Sequence, residues 1–256
     1  MKFSANLGFL WNNLPLPDAI RAAKSHGFHA VECHWPYATP APDVVAALTE
    51  TGLSMLGLNT VRGQAGENGL SALPGRQAEA RDAIDMALDY ARAVGAGNVH
   101  VMAGFAQGPK AHDAFIENLA YAASRAGEHD IGILIEPLNR YDAPGYFLST
   151  TEQAIGIIEA VEASNLKLMF DCYHVQLMEG DLTNRLSALM PHIGHVQFAS
   201  VPDRGPPDGG EVNYRHIFSH LAATGYHRPL GAEYRPAGET ADSLAWLADL
   251  AGIGGK

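Results

Sequence analysis

Residues 132–137 read Gly-Ile-Leu-Ile-Glu-Pro, and the same design returns at 166–171 (Leu-Lys-Leu-Met-Phe-Asp), 193–199 (Ile-Gly-His-Val-Gln-Phe-Ala) and 229–234 (Pro-Leu-Gly-Ala-Glu-Tyr). Each is a short apolar run closed by one carboxylate or amide, the pattern of a buried parallel strand whose polar group waits at its C-terminal end. Working outward, four more runs of this kind lie upstream, at Phe3–Phe9, Ala30–Trp35, Ser54–Thr60 and Asn98–Ala103. Longer stretches with helical spacing separate them, such as Pro17–His26, opened by proline and stopped by Gly27, and Pro74–Val94, with Ile84, Ala87, Leu88 and Ala91 on one stripe. Eight alternating units in 256 residues predict one (β/α)8 barrel, a TIM barrel spanning residues 1–256 as a single domain. No linker or low-complexity tract divides the chain.

Composition narrows the function. Hydrophobic residues make up 47% and charged residues 18%, which is the balance of a globular protein with a real core. With 28 acidic against 17 basic side chains the net charge is -11, a field that repels polyanions, and no basic cluster offsets it, so nucleic acid is not an expected partner. No run approaches the roughly 20 apolar residues of a membrane helix, and the N-terminal Met-Lys-Phe-Ser-Ala-Asn lacks the apolar stretch of a signal peptide. A cytoplasmic protein acting on a small molecule is the expectation. Cys33 and Cys172 stand far apart without metal-type spacing and read as two buried thiols.

Strands of a closed barrel point alternate residues inward, so a carboxylate at a strand's C-terminal end must be paired, metal-bound or catalytic. Glu136, Asp171, Gln197 and Glu233 end four consecutive strands, five through eight. They offer three carboxylates and an amide oxygen to one side of the barrel mouth, an all-oxygen set that suits Mg2+ or Mn2+. His174, three residues past Asp171, and His195, two before Gln197, are candidate members or neighbours of that cluster, with a core histidine hydrogen-bonded to backbone as the alternative for each. Glu32 and His100 are further mouth-facing candidates, with buried structural hydrogen bonding as the alternative for each. Two pattern-poor stretches, Val61–Gly75 and Val201–Tyr214, follow strands on the catalytic face and are candidate substrate-covering loops. There is no nucleophile elbow, Walker loop or dinucleotide fingerprint.

These motifs carry a resemblance. Ile-Leu-Ile-Glu-Pro-Leu-Asn at 133–139, Phe-Asp-Cys-Tyr-His-Val-Gln at 170–176, His-Val-Gln-Phe-Ala-Ser at 195–200 and Gly-Ala-Glu-Tyr-Arg-Pro at 231–236, with Val-Glu-Cys-His-Trp-Pro-Tyr at 31–37, resemble the hydroxypyruvate isomerases of the xylose isomerase-like barrels. The resemblance implies a divalent metal held by Glu136, Asp171, Gln197 and Glu233, with the two glutamates doubling as the acid/base pair. It places His174 beside the site and Arg204 and Glu211 in the loop after the seventh strand. Two departures bear on the substrate: the seventh-strand loop reads Arg-Gly-Pro-Pro-Asp-Gly-Gly-Glu at 204–211, with Gly205 and Pro206 where the family has a histidine and an acid. The loop after the third strand is shorter than usual, offering Glu67-Asn68 and an early Arg62 in place of an Asp-Arg pair.

The implied chemistry moves one proton between adjacent carbons of a hydroxy-carbonyl acid through an enediolate, as in hydroxypyruvate to tartronate semialdehyde or a 2-oxo-tetronate analogue. Arg62, Arg140, Arg204 and Arg235 stand after strand ends as partners for the substrate carboxylate, with Arg62 and Arg204 foremost and His100 at the mouth. A ketose 3-epimerase would use the same fold, metal and glutamates on a longer sugar. An abasic-site endonuclease would need several metals, more histidines and a basic groove. A homo-oligomer through exterior helices is compatible with the sequence.

Overall fold

The computed structural model describes residues 1–253. In chain order the strands and helices are β1 (Phe3–Asn6), α1 (Leu16–Ser25), β2 (Ala30–Glu32), α2 (Ala41–Thr51), β3 (Ser54–Met55), β4 (Leu58–Asn59), α3 (Gln77–Val94), β5 (Asn98–His100), α4 (Pro109–Gly127), β6 (Gly132–Ile135), α5 (Thr151–Val161), β7 (Leu166–Asp171), α6 (Cys172–Met178), α7 (Leu182–Leu189), β8 (Ile193–Phe198), α8 (Tyr214–Ala223), β9 (Leu230–Ala232) and α9 (Ala245–Ala251). All strand pairs are parallel, in the order β3-β2-β1-β9-β8-β7-β6-β5-β4.

β3 and β4 are the two ends of one strand, broken at Leu56 and Gly57. The break closes the barrel. On one side Leu56 N donates to Val31 O (2.7 Å) and Cys33 N to Gly57 O (3.1 Å); on the other Gly97 N donates to Met55 O (3.1 Å) and Asn98 Nδ2 to Leu56 O (2.8 Å). The architecture is therefore the expected eight-membered TIM barrel, with the predicted third strand Ser54–Thr60 interrupted at its middle. The inward carboxylates and amide consequently sit on or just after β6 to β9.

Period-two alternation decides which residues meet. In β7, Leu166, Leu168 and Phe170 face the helices and are fully buried, while Met169 and Asp171 occupy the other face; Met169 lines an interior cavity with Leu134, His195 and Gln197. The outward set includes Phe3 and Phe198, which pack edge-on against Trp246 at 5.1 and 5.4 Å between ring centres; Phe198 also meets Phe218 at 4.9 Å. Helices cover this layer with apolar stripes, as in α3, where Ala80, Ala83, Ile84, Ala87, Leu88, Ala91 and Val94 are buried. That helix starts at Gln77, after the expected Pro74, because Gly75 takes a left-handed φ of 81° that the helix cannot include. α1 runs one residue earlier at each end than Pro17–His26.

Both pattern-poor stretches reach the mouth, the first through Arg62 and Asn68 and the second through Arg204, and both are tied down. The first is pinned by an antiparallel bridge between Gly69 and Ala103, and by Glu67, which pairs with Arg76 and accepts from Gln64 N. The second folds back on itself, Ser200 N donating to Gly205 O and Glu211 N to Val201 O, and Arg235 N donates to Arg204 O (2.7 Å). Among the described residues no helix is long and apolar enough to cross a membrane.

Candidate active site

Four side chains anticipated from the strand ends are nearly inaccessible: Glu136 is 6% exposed, Asp171 1%, Gln197 3% and Glu233 5%; Glu136 and Glu233 line the mouth cavity, and Gln197 lines the interior cavity. Local structure delivers each one. Glu136 and Glu233 directly follow β6 and β9, Gln197 is the penultimate residue of β8, and Asp171 ends β7 while capping α6, its Oδ1 accepting from Tyr173 N at 2.9 Å. Capping uses only one oxygen. Asp171 Oδ2, Glu136 Oε1 and Gln197 Oε1 are all buried without a hydrogen-bond partner.

Bare buried oxygens of this kind carry a desolvation cost that something must offset. Burial, reinforced by the charges of Glu233 and Asp171, pushes Glu136 well above the usual carboxylate range. Burial and then Glu233 raise Asp171 to about 8. Burial also works to raise Glu233, but Arg204 and then His34 outweigh it and hold that carboxyl at about 2. Three crowded carboxyls with a single guanidinium among them keep a proton unless a further cation joins them. The donor set fits a hard divalent ion, since the unpartnered atoms of Glu136, Asp171 and Gln197 are all oxygens.

Glu136, Asp171 and His174 also bring potential ligand atoms within 4.8 Å of one another. In this arrangement the inward nitrogen of the histidine is a donor. Asn139 donates to His174 Nδ1 from both its backbone N (3.0 Å) and its side-chain Nδ2 (2.7 Å), so Nδ1 carries a lone pair and the neutral ring carries its proton on Nε2. Nε2 faces Asp171 Oδ2 at 3.6 Å and Glu136 Oε1 at 3.7 Å. Burial, then Arg204, lowers the ring's pKa to about 3, so at neutral pH His174 is an uncharged donor. His100 lies on the opposite flank of Glu136, Nδ1 at 3.6 Å from Oε2, with Nε2 buried and unpartnered; burial lowers it to about 4.

The arginines divide into two kinds. Arg204, held at a left-handed φ of 53°, is buried over the rings of Phe9 and Tyr173. Its charge is committed to Glu233 at 2.9 Å, Asp142 at 3.5 Å and Asp171 at 3.7 Å, while its Nε lacks an acceptor. Arg62 lies 4.2 Å above the Trp35 ring and donates from Nε to Asn68 Oδ1 (3.1 Å), with no carboxylate partner among the described residues. Both line a mouth cavity of about 160 Å³, together with His100, Glu136, His174, Glu233 and Arg235. Arg140 is exposed and stacks on Tyr141. Glu211 is exposed and accepts from Gln176 (3.2 Å), outside that cavity, because its loop turns back at Val201.

Three site residues escaped sequence reading. His34 Nε2 bonds Glu233 Oε1 at 2.9 Å, and Asn6 Nδ2 donates to the same oxygen at 3.0 Å. Asp142 accepts from Asn139 and Tyr173 at the rim and pairs with Arg204 at 3.5 Å. The first two were discoverable: His34 shares Glu32's face by period two, and Asn6 ends the first strand. His195 and Glu32 bond one another in the barrel interior.

A family model described as xylose isomerase-like TIM barrel matches residues 20–250. The chain is 42% identical to a 2-oxo-tetronate isomerase of Cupriavidus necator, over 96% of this chain and 97% of that one. It is 37% identical to the hydroxypyruvate isomerase of Escherichia coli, over 96% and 98%. A crystal structure described as an AP endonuclease, family 2, from Brucella melitensis superposes with a TM-score of 0.94 at 40% identity, covering 97% of this chain and 98% of that one. With an eight-stranded barrel, acidic side chains gathered at its mouth and relatives of this similarity along its length, the chain belongs to the xylose isomerase-like TIM barrels and is an enzyme of their hydroxypyruvate isomerase-like group.

Proposed function

We propose that the chain interconverts a 2-oxo-3-hydroxy acid, HO–CHR–CO–COO⁻, and its isomer O=CR–CHOH–COO⁻, where R is hydrogen in hydroxypyruvate and hydroxymethyl in 2-oxo-tetronate. The observation that carries the reading is the set of three bare buried oxygens, on Glu136, Asp171 and Gln197, beside the ion-paired Glu233. Glu136, Asp171, Gln197 and Glu233 would hold Mg2+ or Mn2+. The chemistry such an ion supplies when bound is Lewis-acid stabilisation of negative charge on the substrate oxygens, several kcal/mol in sites of this kind.

The chain's own residues do the rest. One of the pair Glu136 and Glu233 removes the proton from C3 and the other returns a proton to C2, while the hydroxyl proton passes from O3 to O2. The enediolate between these steps concentrates charge on both oxygens, and His174 Nε2–H is a fixed donor for one of them. Arg204 keeps Glu233 ionised, and its free Nε is a second donor. Arg62, preorganised by Trp35 and Asn68 with its charge unspent, takes the carboxylate. Apart from Glu136, Asp171 and His174, no cluster of three histidine, cysteine or acidic side chains is found among the described residues, against the several-metal endonuclease alternative.

The test is proton NMR of chelator-treated protein supplied with hydroxypyruvate or 2-oxo-tetronate, before and after Mg2+ or Mn2+ is added. Conversion of at least one acid, only with the cation, is expected. Conversion of neither overturns the substrate class, and equal rates without cation overturn the metal.

A further inference from the structure

We infer that Glu32 sets the polarity of the Gln197 amide, so that the carbonyl end and not the NH2 end is offered to the cation. The inference rests on the reading of Gln197 as a metal ligand and adds a positioning residue beneath it. A glutamine side chain is two-faced: turned one way it presents an oxygen that a cation attracts, turned the other an NH2 that a cation repels. Nothing in Gln197 itself chooses.

The choice is made in the barrel interior. Gln197 Nε2 donates to Glu32 Oε1 at 2.9 Å, Asn6 Nδ2 donates to the same oxygen at 3.2 Å, and His195 Nε2 bonds Glu32 Oε2 at 2.5 Å. All four side chains are buried. A carboxylate that gathers three donors can accept from the Gln197 NH2 and has nothing to give its carbonyl, which leaves Gln197 Oε1 as one of the bare buried oxygens of the site. Space for the arrangement comes from across the sheet, where Gly231 is in register with Gln197. A Cβ there would lie 2.6 Å from Glu32 Oε1, 2.8 Å from Gln197 Cγ and 2.8 Å from His195 Nε2. The strand thus gives up a side chain where the network passes.

The experiment is a double-mutant cycle read as Mn2+ affinity, from the electron paramagnetic resonance of free Mn2+ without substrate. Glu32→Gln keeps shape but lets residue 32 donate, so Gln197 can turn over; affinity is expected to fall about 10- to 100-fold. Gln197→Glu has no wrong end, so in that background Glu32→Gln is expected to cost nothing or to strengthen binding by removing a facing carboxylate. Equal losses in both backgrounds, or no loss in either, overturn the inference and leave the metal reading standing. A wild-type chain that binds no Mn2+ overturns the metal reading and this one with it. Should Glu32→Gln not fold, Gly231→Ala crowds the same contact and is expected to show the same dependence on residue 197, an equal loss in both backgrounds being the contrary result.

Discussion

Asn139 spends two donors, its backbone N–H at 3.0 Å and its side-chain amide at 2.7 Å, on the single Nδ1 of His174. One residue thereby fixes the tautomer of another and turns a potential ligand into a donor. His174→Ala should therefore lower kcat about 100-fold, the scale of a lost donor to developing negative charge, while Mn2+ affinity changes far less. Parallel collapse of affinity and turnover would show that His174 holds the metal.

The buried carboxyls would make binding of a metal pH-dependent. Asp171 is raised to about 8, whereas an unfolded aspartate titrates near 4. Between these values the folded chain keeps a proton that the unfolded chain has lost, so the stability of cation-free protein falls as pH rises through this window. Glu136 shifts in the same direction, and Glu233 in the opposite one, its contribution being lost only as pH falls toward about 2. A cation takes the proton's place, so the rise in Tm on adding Mn2+ should grow from about pH 5 to about pH 8. A rise that is constant over that range contradicts the account.

Arg62 has a carboxylate-sized task and no carboxylate of its own. Arg62→Met should raise KM for the acid about 10- to 100-fold with little change in kcat, as for one lost charged hydrogen-bond pair that holds ground and transition states alike. Steady-state kinetics decide this. A fall in kcat with KM unchanged would place Arg62 in the chemical step instead.

Gly8 lets His34 reach Glu233: a Cβ at that position would lie 2.1 Å from the ring's Nδ1. Gly8→Ala and His34→Ala should each lower kcat/KM about tenfold, the worth of one charge-assisted hydrogen bond, and the double variant should lose no more than either alone. Additive losses would mean that Gly8 acts by another route.

The barrel was legible because each strand combines an apolar run with a polar end, a pattern that a closed parallel sheet imposes and a helix does not. Local backbone events were less legible. The break at Leu56 and Gly57 depends on hydrogen bonds from both neighbouring strands, and the start of α3 on the left-handed Gly75. The placement of Glu136, Asp171, Gln197 and Glu233 at buried strand ends could be read from strand position alone. His34 and Asn6 could be placed on the inward face from strand position, but their contacts with Glu233 join residues more than 190 positions apart in sequence, and spacing alone does not show which partner they meet. Arg204 and Arg62 looked alike as loop arginines; only the carboxylates around the first and the tryptophan beneath the second separate their tasks.

The central claim is that the hydrogen moves as a proton through the glutamates. The most direct measurement runs the isomerisation in D2O with cation-loaded protein, beginning from acid carrying protium at C3, and follows deuterium by NMR in product and recovered substrate for wild type, Glu136→Gln and Glu233→Gln. The account predicts deuterium at C2 of the wild-type product and turnover lowered about 100- to 10,000-fold in each variant, the range for loss of a positioned acid or base. Product that retains the substrate hydrogen in full, with no exchange into recovered substrate, would mean direct hydride transfer and would contradict it.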